Sequence, residues 1–393
     1  MMLLRFLLVL LLAVLPARAC YWDRDTLEDE AKNQLDVVKA ITGWFDRYPP
    51  KYYEMRLERV TKELATHPGQ LDLYDDAGVA CSRLGRHDEA IAWIAKKKAV
   101  LDTLPEKDST EARYRYLSNL GTFHLVRWMV KPEQERDADL GDLMLSESLI
   151  AHALEINPDA HFGREKFQLM LIRWLLNMGL DPKDHRSSNF LREDTVGNHG
   201  DGPPEKPRAP GYTFEEATKG ITGLIQLGAA WQSVDTAMAL QTSLGGEIKN
   251  SLARLAWMRR QELLGEHKQS LHPAEAIRKC VADVPPSGMI HSEGKIDAFY
   301  ISTRQAADRR EAAWLAYQEA RFAQGMHPDT HPDFWKDWRE PAFPKFPNQI
   351  FDDPMNNAAL VVLTVIALVV GTILWRVILF ILRRRKRLRM ARA

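Results

Sequence analysis

An all-α fold is what this sequence predicts, on three observations. Apolar residues recur three and four positions apart along most of the chain. No convincing period-two stretch interrupts them. Short stops at Pro68-Gly69, Gly85, Pro105 and Pro158 cut the pattern at spacings that suggest repeated helical hairpins.

Residues 1–19 place Arg5 ahead of an apolar run, 6–15, and close on Ala17-Arg18-Ala19. A basic start, a short apolar core and small residues one and three positions before a cut make a secretory signal peptide. Roughly ten apolar residues fall short of the ~20 that cross a bilayer. Cleavage would leave Cys20 at the mature N-terminus. A lipoprotein signal, in which that thiol carries the lipid, asks for an aliphatic residue at Ala17 and a small one at Arg18, and the match is poor.

Helical periodicity then covers 52–65, 71–84, 88–101, 111–130, 140–156 and 161–176. The sharpest segment is 71–101. Tyr74, Ala77, Gly78 and Cys81 share one helix face, which ends at Leu84-Gly85. Asp88 and Glu89 place negative charge in the first turn of the next helix, where the macrodipole favours it. Ala90 and Ile94 face back, and the small Gly78 and Ala90 suit a close antiparallel crossing.

These residues resemble the tetratricopeptide repeat, a helix-turn-helix unit of about 34 residues. Tyr74, Ala77, Gly78, Leu84, Gly85, Ala90 and Ile94 match its pattern, while Lys97 stands where the family prefers a small residue. A second, irregular copy runs from Leu117, Leu120 and Gly121 to Ala153 and Pro158, with a polar insertion at 131–139. Residues 20–180 are therefore expected to form a repeat domain, an α-solenoid. The opening 20–27 is also similar to an uncharacterised group of exported bacterial repeat proteins. On this register Asp72, Asp75, Arg83, Arg115 and Ser118 lie on the exposed side of the first helices, the face that in such repeats lines a concave, peptide-binding groove.

Residues 181–211 lose the period and gather glycines and prolines, as a flexible linker would. Amphipathic stretches resume in a second helical region, 212–326. Residues 327–357 alternate aromatics with prolines and predict an extended juxtamembrane stalk, whose aromatics either touch the headgroups or, as the favoured reading, pack on the domain. The run 358–382 is uncharged apart from Arg376, and at ~1.5 Å per residue it spans ~37 Å, enough for a ~30 Å hydrocarbon core. The basic tail 383–393 places the C-terminus in the cytoplasm by the positive-inside rule, and the bulk of the chain outside it.

The chain's formal charge is zero, yet residues 20–357 hold 43 Lys and Arg against 53 Asp and Glu. Such an acidic exported region is not built to hold nucleic acid. Three cysteines, Cys20, Cys81 and Cys280, allow one disulfide, and all three pairings stay open.

No nucleophile-elbow, zincin, redox or phosphate-loop motif occurs, and no cofactor is implied. His327 and His331, with Asp329 and Asp333 between and after them, form the one dense metal-like cluster, but both histidines precede proline and the segment reads as a polar turn. The expected function is a membrane-anchored, exported scaffold or adaptor that binds a protein or peptide. Two alternatives stand beside it: a structural subunit of an envelope assembly, and an enzyme with its site in 212–333.

Overall fold

The computed structural model describes residue 24 and residues 36–158, 163–178, 188–191, 211–227, 230–244, 250–283 and 293–346, with residues 372, 375 and 376. Among them the chain is all-helical, without a strand. The helices are α1 (Val37–Thr42), α2 (Pro50–Thr66), α3 (Leu71–Arg83), α4 (His87–Leu101), α5 (Glu106–Met129), α6 (Glu133–Ala138), α7 (Gly141–Ile156), α8 (Arg164–Leu175), α9 (Phe214–Gln226), α10 (Val234–Ser243), α11 (Asn250–Gly265), α12 (Glu275–Asp283) and α13 (Glu293–Phe322).

Local chemistry sets their ends. Asp36 caps α1 by accepting from the backbone of Val38 and Lys39. Pro50 opens α2, where its missing N–H costs nothing. At the end of α3, Gly85 takes φ +75°, and the backbone N–H groups of Gly85 and Arg86 donate to the carbonyls of Ser82 and Cys81. This is a Schellman turn, and it needs a residue that tolerates the left-handed region. Thr213 and Glu216 close a reciprocal capping box at α9.

The chain divides into two compact units, residues 1–289 with 300–343, and 290–299 with 344–393. In the second, the described residues are the start of α13, 344–346, 372, 375 and 376, and the Phe299 and Phe346 rings meet edge to face at 5.1 Å. In the first, each helix packs on its neighbour in sequence from α2 through α5, then α5 on α7, and onward to α11. Two of these crossings share one geometry. A Cβ on Gly78 would lie 3.2 Å from Ile94 and 2.9 Å from Phe123, and one on Gly121 would lie 2.8 Å from Ile150. Ala90, Ile94, Ile150 and Ala153 are fully buried at these contacts.

The array does not stay open. Every residue of α3 from Leu73 to Ser82 is buried, and so is every residue of α10. Helices buried on all sides belong to the interior of a body rather than to one wall of a groove. The closure comes from the chain's ends: α1 packs on α9 and α11, while Arg304 and Trp314 of α13 donate to the carbonyls of Thr42 (2.8 Å) and Arg47 (2.9 Å).

Several expectations change here. The boundary placed at 181–211 does not separate two bodies, because α8 packs on α9 within one unit and a Cβ on Gly220 would lie 2.2 Å from Phe167. The polar insertion 131–139 contains the short helix α6, whose Arg136 carbonyl accepts from the buried Trp128 indole (3.1 Å). Residues 327–343 are not an extended stalk: Trp335 stacks on Trp314 at 4.2 Å and Phe343 meets Trp44 at 5.2 Å. Aromatic burial outweighs the extended preference of a proline-rich segment. Cys81 is buried, Cys280 is exposed, and both are free thiols. Among the described residues no helix is long and apolar enough to cross a membrane. The predicted signal 1–19, Cys20, most of the linker, the apolar run 358–382 apart from Thr372, Trp375 and Arg376, and the tail 383–393 lie outside those residues.

Tight crossings predict asymmetric mutational costs. Ala90→Leu and Gly220→Ala should each destabilise the protein by about 1–3 kcal/mol through overpacking. Gly265→Ala, with nothing within 4 Å of its Cβ, should not lower the melting temperature. Calorimetry of the three variants checks this, and equal melting temperatures would contradict the packing.

Candidate functional site

The residues expected to line a groove do come together, but only in part at the surface. Asp72 is exposed and pairs with Arg115 at 3.1 Å. Arg83 is exposed and donates to the Leu227 carbonyl at 3.3 Å. Asp75, Arg115 and Ser118 are buried, at 2%, 7% and 0% exposure, which corrects their expected place on a solvent face. Helical periodicity had identified the face that points away from the hairpin's own core. It carries no sign of what later helices place against that face.

What fills it is a polar seam. Lys97, at 0% exposure, donates to Asp75 at 2.6 Å, and the Asn119 amide donates to the other Asp75 oxygen at 3.0 Å. The seam continues as Ser118 donates to Glu165 of α8 at 3.4 Å and Gln168 donates to Thr122 at 3.0 Å. Arg164 donates to the Gly223 carbonyl of α9 at 3.4 Å. Burial pushes the Asp75 carboxyl up to about 6, against the pull of Lys97, Arg115 and Asn119. Lys97, the residue that departs from the repeat pattern, is thus the cation that Asp75 requires. A buried charge left without a partner costs far more than a neutral side chain would.

A second charged cluster joins α2, α3 and the turn after α13. Asp329, its side chain 2% exposed, accepts from Arg56 at 2.6 and 2.9 Å and from Arg59 at 2.6 Å. Burial disfavours its charge, but the hydrogen bond and the positive charge of Arg56, with those of His327 and Arg24, hold its carboxyl well below the usual range. His327 is 4% exposed, faces the Tyr52 ring at 4.6 Å and reaches the Tyr52 carbonyl at 3.0 Å. The segment that looked metal-like is therefore a turn, as the sequence suggested, and a fastened one. Among the described residues no group of three His, Cys, Asp or Glu is placed to hold a metal ion.

The enzyme alternative points to 212–333, where Asp235, Ser270 and His272 gather the residue types of a nucleophilic triad. Their contacts do not form one. Asp235 accepts from the backbone of Leu271 at 2.9 Å, the backbone N–H of His272 donates to Ser270 at 3.2 Å, and the His272 Nδ1 accepts from the backbone of Ala274 at 3.0 Å. A triad needs the carboxylate on the imidazole and the imidazole on the hydroxyl. Burial also drives His272 down to about 4, so the ring is neutral. Nearby, a cavity between α1, α9, α10 and α11, lined by Ile41, Trp231 and Arg259, has a volume of about 10 Å³, room for one water molecule. No known family, curated protein or solved structure matches the chain.

Both clusters predict measurable costs. Lys97→Met should destabilise the protein by about 3–5 kcal/mol by leaving Asp75 buried and unpaired. Adding Asp75→Asn should restore most of that loss, and an additive double variant in urea unfolding would contradict the coupling. Asp329 has a depressed folded-state pKa, so its contribution is present above the unfolded value of about 3.9 and is lost as pH falls through the folded one. The cost of Asp329→Asn should therefore be constant from pH 8 to about 5 and shrink below about pH 4.

Proposed function

We propose that the chain is an exported adaptor of tetratricopeptide-like helical hairpins, held in a membrane by the apolar run 358–382 and binding a partner protein outside the cytoplasm. The equivalent crossings at Gly78 and Gly121 support the repeat reading. The signal-like start, the apolar run and the arginine tail support the topology.

The observation that carries the binding role is an apolar corner left in water. Val130 ends α5 at 61% exposure, and Met144 and Leu145 open α7 at 62% and 44%. Lys131 pairs with Asp139 at 3.0 Å and Asp142 at 3.2 Å, which ties the end of α5 to the start of α7. Exposed apolar clusters on an otherwise polar surface mark contact sites. The filling of the inner face by the chain's own helices supports reading this outer corner as the partner's contact. Asp72 and Arg83 remain at the rim of the filled face and are secondary.

A photo-crosslinking residue at Met144 of the membrane-embedded chain should give one adduct of fixed mass. The same residue at the solvated Lys62 should give none. External protease should remove the adduct and spare the basic tail. Equal labelling at both sites, or protection of the helical body, would contradict the proposal.

A further inference from the structure

The apolar corner carries a charged rim. Between Val130 and Met144 the chain runs through α6, whose Glu133, Glu135 and Asp137 are all exposed, as is Asp139 just beyond it. This rim is fastened. Arg136 is buried at 8% exposure, its guanidinium 5.5 Å from the Trp128 ring and its carbonyl accepting from the Trp128 indole at 3.1 Å. With that side of α6 held on the end of α5, the carboxylates are left in water.

Neighbouring cations do not neutralise the rim. Lys131 is engaged by Asp139 and by the buried Asp142, and Arg127 by Asp142 and Asp88. Arg278 of α12 reaches Glu133 at 3.3 Å. Glu135 and Asp137 have no cation partner among the described residues. The apolar part also extends past the corner. Arg173 of α8 donates to Glu147 of α7 at 2.8 Å where these helices pack, so the end of α8 lies beside the first half of α7. Just past that end, Met178 is 45% exposed. Exposed methionines are flexible and polarisable, and they adapt to varied apolar side chains. Beside fixed carboxylates they suit a ligand that carries apolar and cationic side chains together. The same carboxylates oppose an anionic lipid surface or a nucleic acid.

We propose that the corner receives a cationic amphipathic helix of the partner protein, its apolar stripe on Val130, Met144 and Leu145 and its Lys or Arg side chains on Glu133, Glu135 and Asp137. The proposal rests on the adaptor reading for the corner being a contact site, and adds the chemistry of what docks there. On such a helix the apolar anchors form one stripe with the cations flanking it, which matches an apolar corner with a charged rim. Rim charges act chiefly on association rate and on the choice of partner, so the corner selects basic helices over acidic ones.

Fluorescence anisotropy of labelled ~18-residue helices, about five turns each, titrated with the detergent-solubilised full-length chain, tests the pairing. One peptide carries Leu on one face and Lys on the other, and its match carries Glu in place of Lys. The basic peptide should bind at least ~10-fold more tightly than the acidic one, and the gap should narrow as ionic strength rises from about 0.05 to about 0.3 M. Glu133→Gln/Glu135→Gln/Asp137→Asn should weaken the basic peptide at least ~10-fold. Glu54→Gln/Glu58→Gln/Glu319→Gln, at exposed carboxylates of α2 and α13, should leave it unchanged and so separates the rim from general negative charge. The acidic peptide keeps the test decisive even where the rim variant disturbs folding. Equal binding of the two peptides, no loss in the rim variant, or an equal loss in both triple variants would overturn the proposal. The Met144 crosslink distinguishes this from the reading beneath it. An adduct of unchanged yield in the rim variant keeps the contact site and overturns the cationic helix, whereas absence of any adduct removes the contact site and the helix with it.

Discussion

A lysine and an aspartate, both out of water, meet at the centre of the body, and the rest of the arrangement depends on them. The Lys97–Asp75 pair ties α4 to α3, and Asn119 ties both to α5. Neither charge is tolerable alone at that depth, so the three helices are held in one register. An apolar contact would permit slippage there. From Asn119 the polar seam passes to α8 and α9, so the same constraint orients the helices that close the inner face.

Closure separates this fold from an open helical array. In a simple stack each helix contacts its neighbours and leaves a face to solvent. Here α3 from Leu73 to Ser82 and all of α10 have no such face, and the chain's ends supply the missing cover. Asp329 binds the turn after α13 to α2, while Trp335 and Phe343 bury the segment that follows. The charged fastening sets position and the aromatic stacking adds buried area. With the inner face filled, the proposed contact surface is the outer one.

Much of this was legible from residue spacing. The boundaries of α3 and α4 follow from Leu84-Gly85 and Asp88-Glu89, and the close crossings follow from Gly78, Ala90 and Gly121, because those signals act within one or two turns. The burial of Asp75 and Ser118 was not legible, since Asp75 meets Lys97 and Asn119, 22 and 44 residues on, and Ser118 meets Glu165 of α8, 47 residues on. Lys97 was the available clue: a cation where the repeat wants a small residue predicts a buried carboxylate partner. The aromatics of 327–343 pointed to packing on the domain, which Trp335 and Phe343 do, but the place where they dock was hidden for a similar reason. Proline density reports local backbone preference and carries nothing about Trp314 of α13.

The central claim, that the inner face of the helical array is occupied by the chain itself, is tested most directly by the accessibility of Ser118, which has no exposed surface. Ser118→Cys changes one atom and adds a thiol there, with the exposed Cys280 as an internal reference. Site-resolved maleimide labelling of the folded protein should modify Cys280 rapidly and leave position 118 unmodified until denaturant unfolds the chain. Modification at position 118 as fast as at Cys280 would mean an open groove, and would contradict the account.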